Sequence, residues 1–149
     1  MADDPGAKLS AIELDAYLEQ GLTARMACLD DRGWPYAVPI WHQWDGRRFW
    51  VIGSERAKWV PYLLKSPRVA LTIDDPDPVT RVLCQGSARC VEGPSLDGDW
   101  VAIALNMAAR YLGEDGILEY QQNTAHMARW LFAIDVDRMV SWRGAGLTN

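Results

Sequence analysis

The sequence predicts a mainly β, α+β fold: a small, mostly antiparallel barrel with peripheral helices. Six or seven short segments carry strand-like apolar patterning and end at Gly-, Pro- or Asp-rich turns. One amphipathic helix is inserted midway, and the segments do not alternate strand, helix, strand as a parallel sheet requires. Neither a Rossmann glycine fingerprint nor a P-loop is present. At 149 residues, 49% of them hydrophobic, the chain has one domain's length and can bury a core without staples. No repeat or low-complexity linker divides it, so residues 1–149 read as a single domain.

Residues 1–9 read as a frayed lead. Ser10 is an N-cap signal for a helix over Ala11–Gln20, with Glu13 at the capping-box position and Gly21 as the stop. Ile12, Ala16, Tyr17 and Leu18 give it a modest apolar face. Leu22–Leu29 then reads as a strand ending at the turn Asp31-Arg32-Gly33. Trp34–Trp44 is the next strand, with Tyr36, Val38, Ile40, His42 and Trp44 on one face. Pro39 cannot donate to a ladder and marks an edge or a bulge. Asp45-Gly46 is a hairpin signal, and Arg47–Gly53 the return strand, which together predict a three-stranded meander.

Ser54 or Glu55 opens a short helical segment, Arg56–Lys65, closed by Ser66-Pro67. Pro61 inside it is expected to kink it or to open a new first turn. Arg68–Ile73 is a compact strand stopped by the turn cluster at 74–78, and Val79–Glu92 a long strand with Gly86 as a bend or bulge. Asp97 is the expected cap of an amphipathic helix whose Trp100, Ile103, Ala104, Met107 and Tyr111 share one face. A further short helix is expected near 114–124. Arg129–Val136 and Arg138–Trp142 read as two last strands, a hairpin turning around Asp135–Asp137.

Composition excludes several function classes. Net charge is −5 and the pI near 4.9, which argues against broad electrostatic nucleic-acid binding. Mean hydropathy is −0.16, and no apolar run approaches the ~20 residues of a membrane-spanning helix. The acidic start MADDPGAKLS lacks the apolar core of a signal peptide, so the expected location is cytoplasmic. Three cysteines, Cys28, Cys84 and Cys90, are too few and too irregular for a disulfide scaffold or a zinc site. His42 and His126, the only histidines, have no partners at metal-ligand spacing, so no metal is expected. Eight tryptophans suggest flat apolar surfaces that meet a ring or a partner chain.

Charge distribution says more than net charge. Between Arg47 and Arg68 stand six basic residues and one acid, so that stretch is +5 and the remainder −10. Ser54, Arg56 and Lys58 lie together at a strand-to-helix turn, where a phosphate finds cationic side chains and free backbone N–H groups; a solvated basic face is the plain alternative. No nucleophile elbow or other protein-borne catalytic constellation is visible, so the catalytic residues stay unassigned. That pattern suits an enzyme whose cofactor performs the reaction. It suits a binding or interaction module as well.

Residues 22–92 resemble the flavin- and deazaflavin-binding split-barrel family typified by pyridoxamine 5'-phosphate oxidase. The ordered set carries the resemblance: Tyr36–Trp41 with Val38-Pro39-Ile40-Trp41 at its centre, the Asp45-Gly46 hairpin, Ser54-x-Arg56-x-Lys58, Leu63–Leu71, and Gln85-Gly86-Ser87-Ala88. Tyr111-Leu112-Gly113 and Arg129–Trp142 look like the branch of coenzyme-F420-dependent reductases. The resemblance implies a six-stranded antiparallel split β-barrel with peripheral helices, a homodimer with two cofactor sites at the subunit interface, and FMN, F420 or in some branches haem as the ligand. It implies that Lys58, helped by Arg56 and Ser54 beside Gly53, holds the cofactor phosphate. Val38, Pro39, Ile40 and Trp41 would line the ring, with Gln85 and Gly86 nearby. The function it implies is a flavin-type oxidoreductase, FMN first and F420 as the alternative, moving hydride to or from a small organic substrate. A non-catalytic flavin or haem carrier, with His42 or His126 as axial ligand, is the second reading. Tyr36-Ala37 stand where the oxidase carries a phosphate-binding arginine, which points to a substrate other than a vitamin phosphate.

Overall fold

The computed structural model describes residues 8–144. Of the lead expected over residues 1–9, residues 1–7 lie outside that range, and Leu9 is buried in the core. The Ser10 hydroxyl accepts from the Glu13 N–H at 3.2 Å, while the Glu13 carboxylate accepts from the Ser10 N–H at 2.8 Å. This capping box starts helix α1 (Ala11–Leu18). Its inward stripe is Leu14, Tyr17 and Leu18, one turn apart; Ile12 and Ala16 face outward instead of joining it.

Seven strands form one sheet: β1 (Ala24–Leu29), β2 (Pro35–Ile40), β3 (Gln43–Trp44), β4 (Arg48–Ser54), β5 (Arg68–Pro76), β6 (Val79–Ser95) and β7 (Arg129–Arg143). Their order is β2-β1-β5-β6-β7-β4-β3, with every neighbouring pair antiparallel. The two edge strands are consecutive in the chain. From Ile40 to Gln43 is a reach of at most about 11 Å, so the sheet curls until its edges approach, and Trp41-His42 bridges them.

This is a split barrel, with seven strands rather than six because the expected strand Trp34–Trp44 breaks at Trp41-His42. The expected meander forms only in two halves: β1 pairs with β2, and β3 with β4 around Asp45-Gly46, but the strand between is broken and most of β4 pairs with β7 instead. Pro39 accordingly lies in an edge strand.

Helix α3 (Trp100–Leu112) fixes the bridge. The Arg110 guanidinium donates to the His42 carbonyl at 2.7 Å. The Tyr111 hydroxyl accepts from the His42 N–H at 3.2 Å and donates to the Leu22 carbonyl at 2.7 Å. Backbone groups that leave the ladder at this corner are thereby satisfied by side chains.

The two aspartate turns form as their chemistry requires. Asp30 accepts from the N–H groups of Arg32 and Trp34, both at 2.9 Å, with Gly33 at φ 80°. Asp45 accepts from those of Arg47 and Arg48 at 2.9 and 2.8 Å, with Gly46 at φ 88°.

Three boundaries differ from expectation. The 74–78 cluster does not stop β5, which runs to Pro76 and turns through Asp77-Pro78 alone; Asp74 is held in the ladder by Arg25 at 2.8 Å. Asp97 does not cap α3. Its first N–H groups, of Asp99 and Trp100, donate instead to the Glu92 carboxylate at 3.2 Å each. The expected hairpin around Asp135–Asp137 is absent, because β7 runs straight through both residues. Asp135 is matched across the ladder by Arg48 and Arg89, at 3.5 and 3.2 Å, and Asp137 is the extra residue of a bulge opposite Gly86.

Helix α2 (Trp59–Lys65) starts later than Arg56, and Pro61 falls in its first turn, where the missing N–H has no helical partner to lose. Helix α4 (Gly116–Thr124) is the second short helix expected. The barrel core is built from Met26, Phe49, Val51, Leu71, Ile73, Val82, Phe132 and Ile134. A second cluster, Trp100 and Ala104 against Leu131, Trp50 and Ile52, seats α3 on the outer face of β4 and β7. Among the described residues no helix is long and apolar enough to cross a membrane.

Candidate functional site in the barrel split

Where β2 and β4 fail to pair, the barrel leaves a cavity of about 240 Å³. Pro39, Ile40 and Trp41 form one wall and Ile52 and Ser54 of β4 the other. Ala57 and Trp59 close the end towards α2; Met107 of α3, Tyr120 of α4 and Arg129 of β7 complete the lining. The alternation of β4 explains the division: Phe49, Val51 and Gly53 point into the core, Ile52 and Ser54 out into the split.

Trp41 stacks on Tyr111, ring centroids 4.9 Å apart and 8° from parallel, and meets Tyr120 at 5.8 Å and 35°. An aromatic shelf therefore lies at the point where the chain crosses between sheet edges. His42 is its inward counterpart. It is 0% exposed, packs edge-on against Phe49 and Tyr111, and neither ring nitrogen has a hydrogen-bond partner among the described residues. Burial, reinforced by the Arg110 charge, holds its pKa down at about 4, so the ring is neutral. Burial pushes the Tyr111 phenol up, which keeps it the proton donor that the corner needs.

The residues singled out in the sequence divide. Pro39, Ile40, Trp41 and Ser54 come together in this cavity. Val38 does not: its side chain packs against the barrel core. Gly53 is buried for a packing reason, since a Cβ there would run into Val60 and Trp59 of α2. Arg56 and Lys58 lie exposed in the turn between Ser54 and α2, beside the cavity but outside its lining, and neither forms an ion pair among the described residues. The Arg56 N–H donates to the Ser54 hydroxyl at 3.3 Å, which folds the turn over the end of β4. Gln85 and Gly86 are elsewhere: they line a groove of about 440 Å³ on the outer face, with Ala27, Leu29 and Arg68.

Sequence reasoning missed Arg129. It opens β7, with its backbone registered against Ser54 of β4 and Ser95 of β6. It is only 9% exposed, its Nε has no hydrogen-bond partner among the described residues, and its guanidinium stands 5.9 Å over the Trp100 ring. Tyr120 and Met107 were also not singled out as site residues; the first lies on a helix with no buried residue of its own.

An open antiparallel barrel with a lined cavity in its split defines the class of protein. The sequence pattern of the pyridoxamine 5'-phosphate oxidase family matches residues 11–143, and the chain belongs to that family. Similar solved structures include a conserved hypothetical protein from Mycobacterium tuberculosis, with a TM-score of 0.69 at 22% identity over 91% of this chain and 85% of that one. An F420 reductase follows at 0.65 and 19%, over 84% of this chain and 94% of that one. HutZ, the haem storage protein of Vibrio cholerae, matches at 0.64 and 18%, over 89% and 95%. At these identities the shared property is the fold. No curated protein matches the sequence significantly.

Proposed function

We propose that the chain is a cytoplasmic oxidoreductase that binds FMN, or coenzyme F420 in its place, in the split of the barrel. It would move hydride between that cofactor and a small, flat organic substrate. The observation that carries this reading is the composition of the cavity: an aromatic and aliphatic slot that ends at Ser54, next to the cationic turn of Arg56 and Lys58. A phosphorylated ring cofactor needs those two chemistries side by side. Lys58 and Arg56 would hold the phosphate as charge-assisted donors, with the Ser54 hydroxyl beside them. Pro39–Trp41 and Ile52 would bound the ring, and Met107 and Trp59 keep water from its face. The bound ring supplies the hydride chemistry; the chain supplies position and dryness.

The reading includes a second copy of the chain. A cavity of about 240 Å³ falls short of the roughly 300–1,000 Å³ usual for a whole ligand site. Exposed Gln85, with buried Gly86 beside it, borders a groove lined among the described residues by strands alone. The reading assigns the missing volume to residues of a partner copy. The haem-carrier reading has less support. His42 is enclosed on every side, and the exposed His126 is absent from the cavity lining.

Absorbance and mass spectrometry of the chromophore released on heating, followed by titration of the stripped protein, test the proposal. FMN or F420 is the expected chromophore, and Lys58→Ala should weaken its binding about tenfold while leaving the melting temperature unchanged. A colourless protein that binds neither cofactor would sink the proposal, and a haem Soret band would replace it with the carrier reading.

A further inference from the structure

We infer that Arg129 is an oxyanion anchor inside the split cavity, separate from the Arg56/Lys58 turn, and that it selects a flat ligand bearing a carboxylate or phosphate group. Four observations converge on it. A guanidinium is a fixed cation as a side-chain type, yet Arg129 is nine-tenths buried. Arg129 forms no ion pair among the described residues, and its Nε, unlike the guanidinium of the part-buried Arg110 on the His42 carbonyl, has no hydrogen-bond partner there. The Trp100 ring, 5.9 Å away, offers only the partial compensation of a cation–π contact. Among the described residues Arg129 is also the one charged member of the cavity lining.

A buried, unpaired cation is destabilising unless something pairs with it. The guanidinium fork matches a carboxylate or a phosphate in two parallel hydrogen bonds. The walls around it, Trp41 and Tyr120 with Ile52 and Met107, suit a planar apolar body. A neutral isostere of the same shape would leave the cation as unpaired as before, so discrimination follows from the geometry. The backbone of Arg129 is held by β4 on one side and β6 on the other, which fixes the anchor before the ligand arrives. The inference shares its cavity with the proposed function but does not depend on which cofactor is held.

Tryptophan fluorescence and melting temperature read the test on the full chain, with benzoate, its neutral isostere benzamide, and inorganic phosphate as probes. Wild-type protein is expected to bind benzoate at least about tenfold more tightly than benzamide. Arg129→Met should lose that preference and, without ligand, melt at a higher temperature. Arg129→Lys, which keeps the charge but not the fork, should retain part of the preference and covers the case of a Met variant that does not fold. Stabilisation by inorganic phosphate should fall in Arg129→Met, and what remains belongs to the Arg56/Lys58 turn. Equal binding of benzoate and benzamide by wild type, or an unchanged preference in Arg129→Met, would overturn the inference. Titration with FMN and riboflavin separates the two anion sites. Arg129→Met is expected to keep the preference for FMN, and losing it would make Arg129 the cofactor's phosphate holder instead. If wild type binds neither FMN nor coenzyme F420, the cofactor reading fails while the benzoate comparison still decides the role of Arg129.

Discussion

His42 pairs an ionisable ring with a site that has no room for its charge. Phe49 and Tyr111 face it edge-on and the Arg110 guanidinium sits on its own carbonyl, so protonation inside the fold is resisted down to about pH 4. In the unfolded chain the same ring takes its proton near 6.5. Stability from this residue is therefore complete above pH 6.5 and is lost as pH falls towards 4. Between pH 6.5 and 5, where carboxylates are ionised in both states, the loss amounts to about 2 kcal/mol. Urea midpoints across that interval should fall in wild type and stay level in His42→Leu; parallel slopes would refute the assignment. At this scale the sequence was only half legible. Ser54, Arg56 and Lys58 stand together in the chain, so their charge could be read directly. Arg129 is a lone arginine in sequence, brought to Ser54 only by the β4–β7 register. A local charge count has no access to such a pairing.

Among the elements, the β6–β7 ladder is the longest and carries the sharpest constraint. The bulge inserts Asp137 opposite the Gln85-Gly86 step, and the Asp135 carbonyl crowds the place where a Gly86 side chain would begin, with the Ile134 side chain beside it. Backbone cannot yield as a flexible side chain does. Gly86→Ala should cost about 1–3 kcal/mol, whereas Gly93→Ala, with open space around its Cβ, should change stability by no more than about 0.5 kcal/mol. Chemical denaturation of the pair checks both, and equal stabilities would show that the ladder relaxes. The bend assigned to Gly86 was legible because glycine in a strand marks close backbone approach. The false hairpin at Asp135–Asp137 has the opposite cause. Aspartates imitate a turn locally, and only the facing arginines, Arg48 and Arg89, make Asp135 tolerable in mid-strand. The broken meander is of the same kind, since Trp41-His42 reads as continued strand until Arg110 and Tyr111 are known to hold it.

For the whole molecule, the distribution of cover over the barrel is uneven. Helix α3 seats itself on β4 and β7, and α4 contacts α3. Among the described residues, the grooves on the outer face of β1, β5 and β6 are lined by strands and by no helix. There Leu29, Leu83 and Val140 are 41%, 40% and 36% exposed, and two grooves of about 440 and 320 Å³ run along them with Ala27 and Ala70. Leu83 and Val140 are direct cross-strand partners, so their side chains make one continuous apolar spot. A strip of this kind on a twofold axis meets its own copy and buries the same residues twice. The proposed dimer would then close the cavity that one chain leaves short. Size-exclusion chromatography with light scattering should give about twice the 16.7 kDa of the chain. Leu83→Glu places like charges against each other across the axis and should return a folded monomer, because the side chain already lies outside the core. The same variant should bind FMN at least about tenfold more weakly, although Leu83 is remote from Lys58 in the chain and lines a different groove. A wild-type monomer with full cofactor affinity would show that a single chain completes the site. A Leu83→Glu monomer that retains affinity would separate assembly from binding, and the outer face would then be an interface without a part in the chemistry.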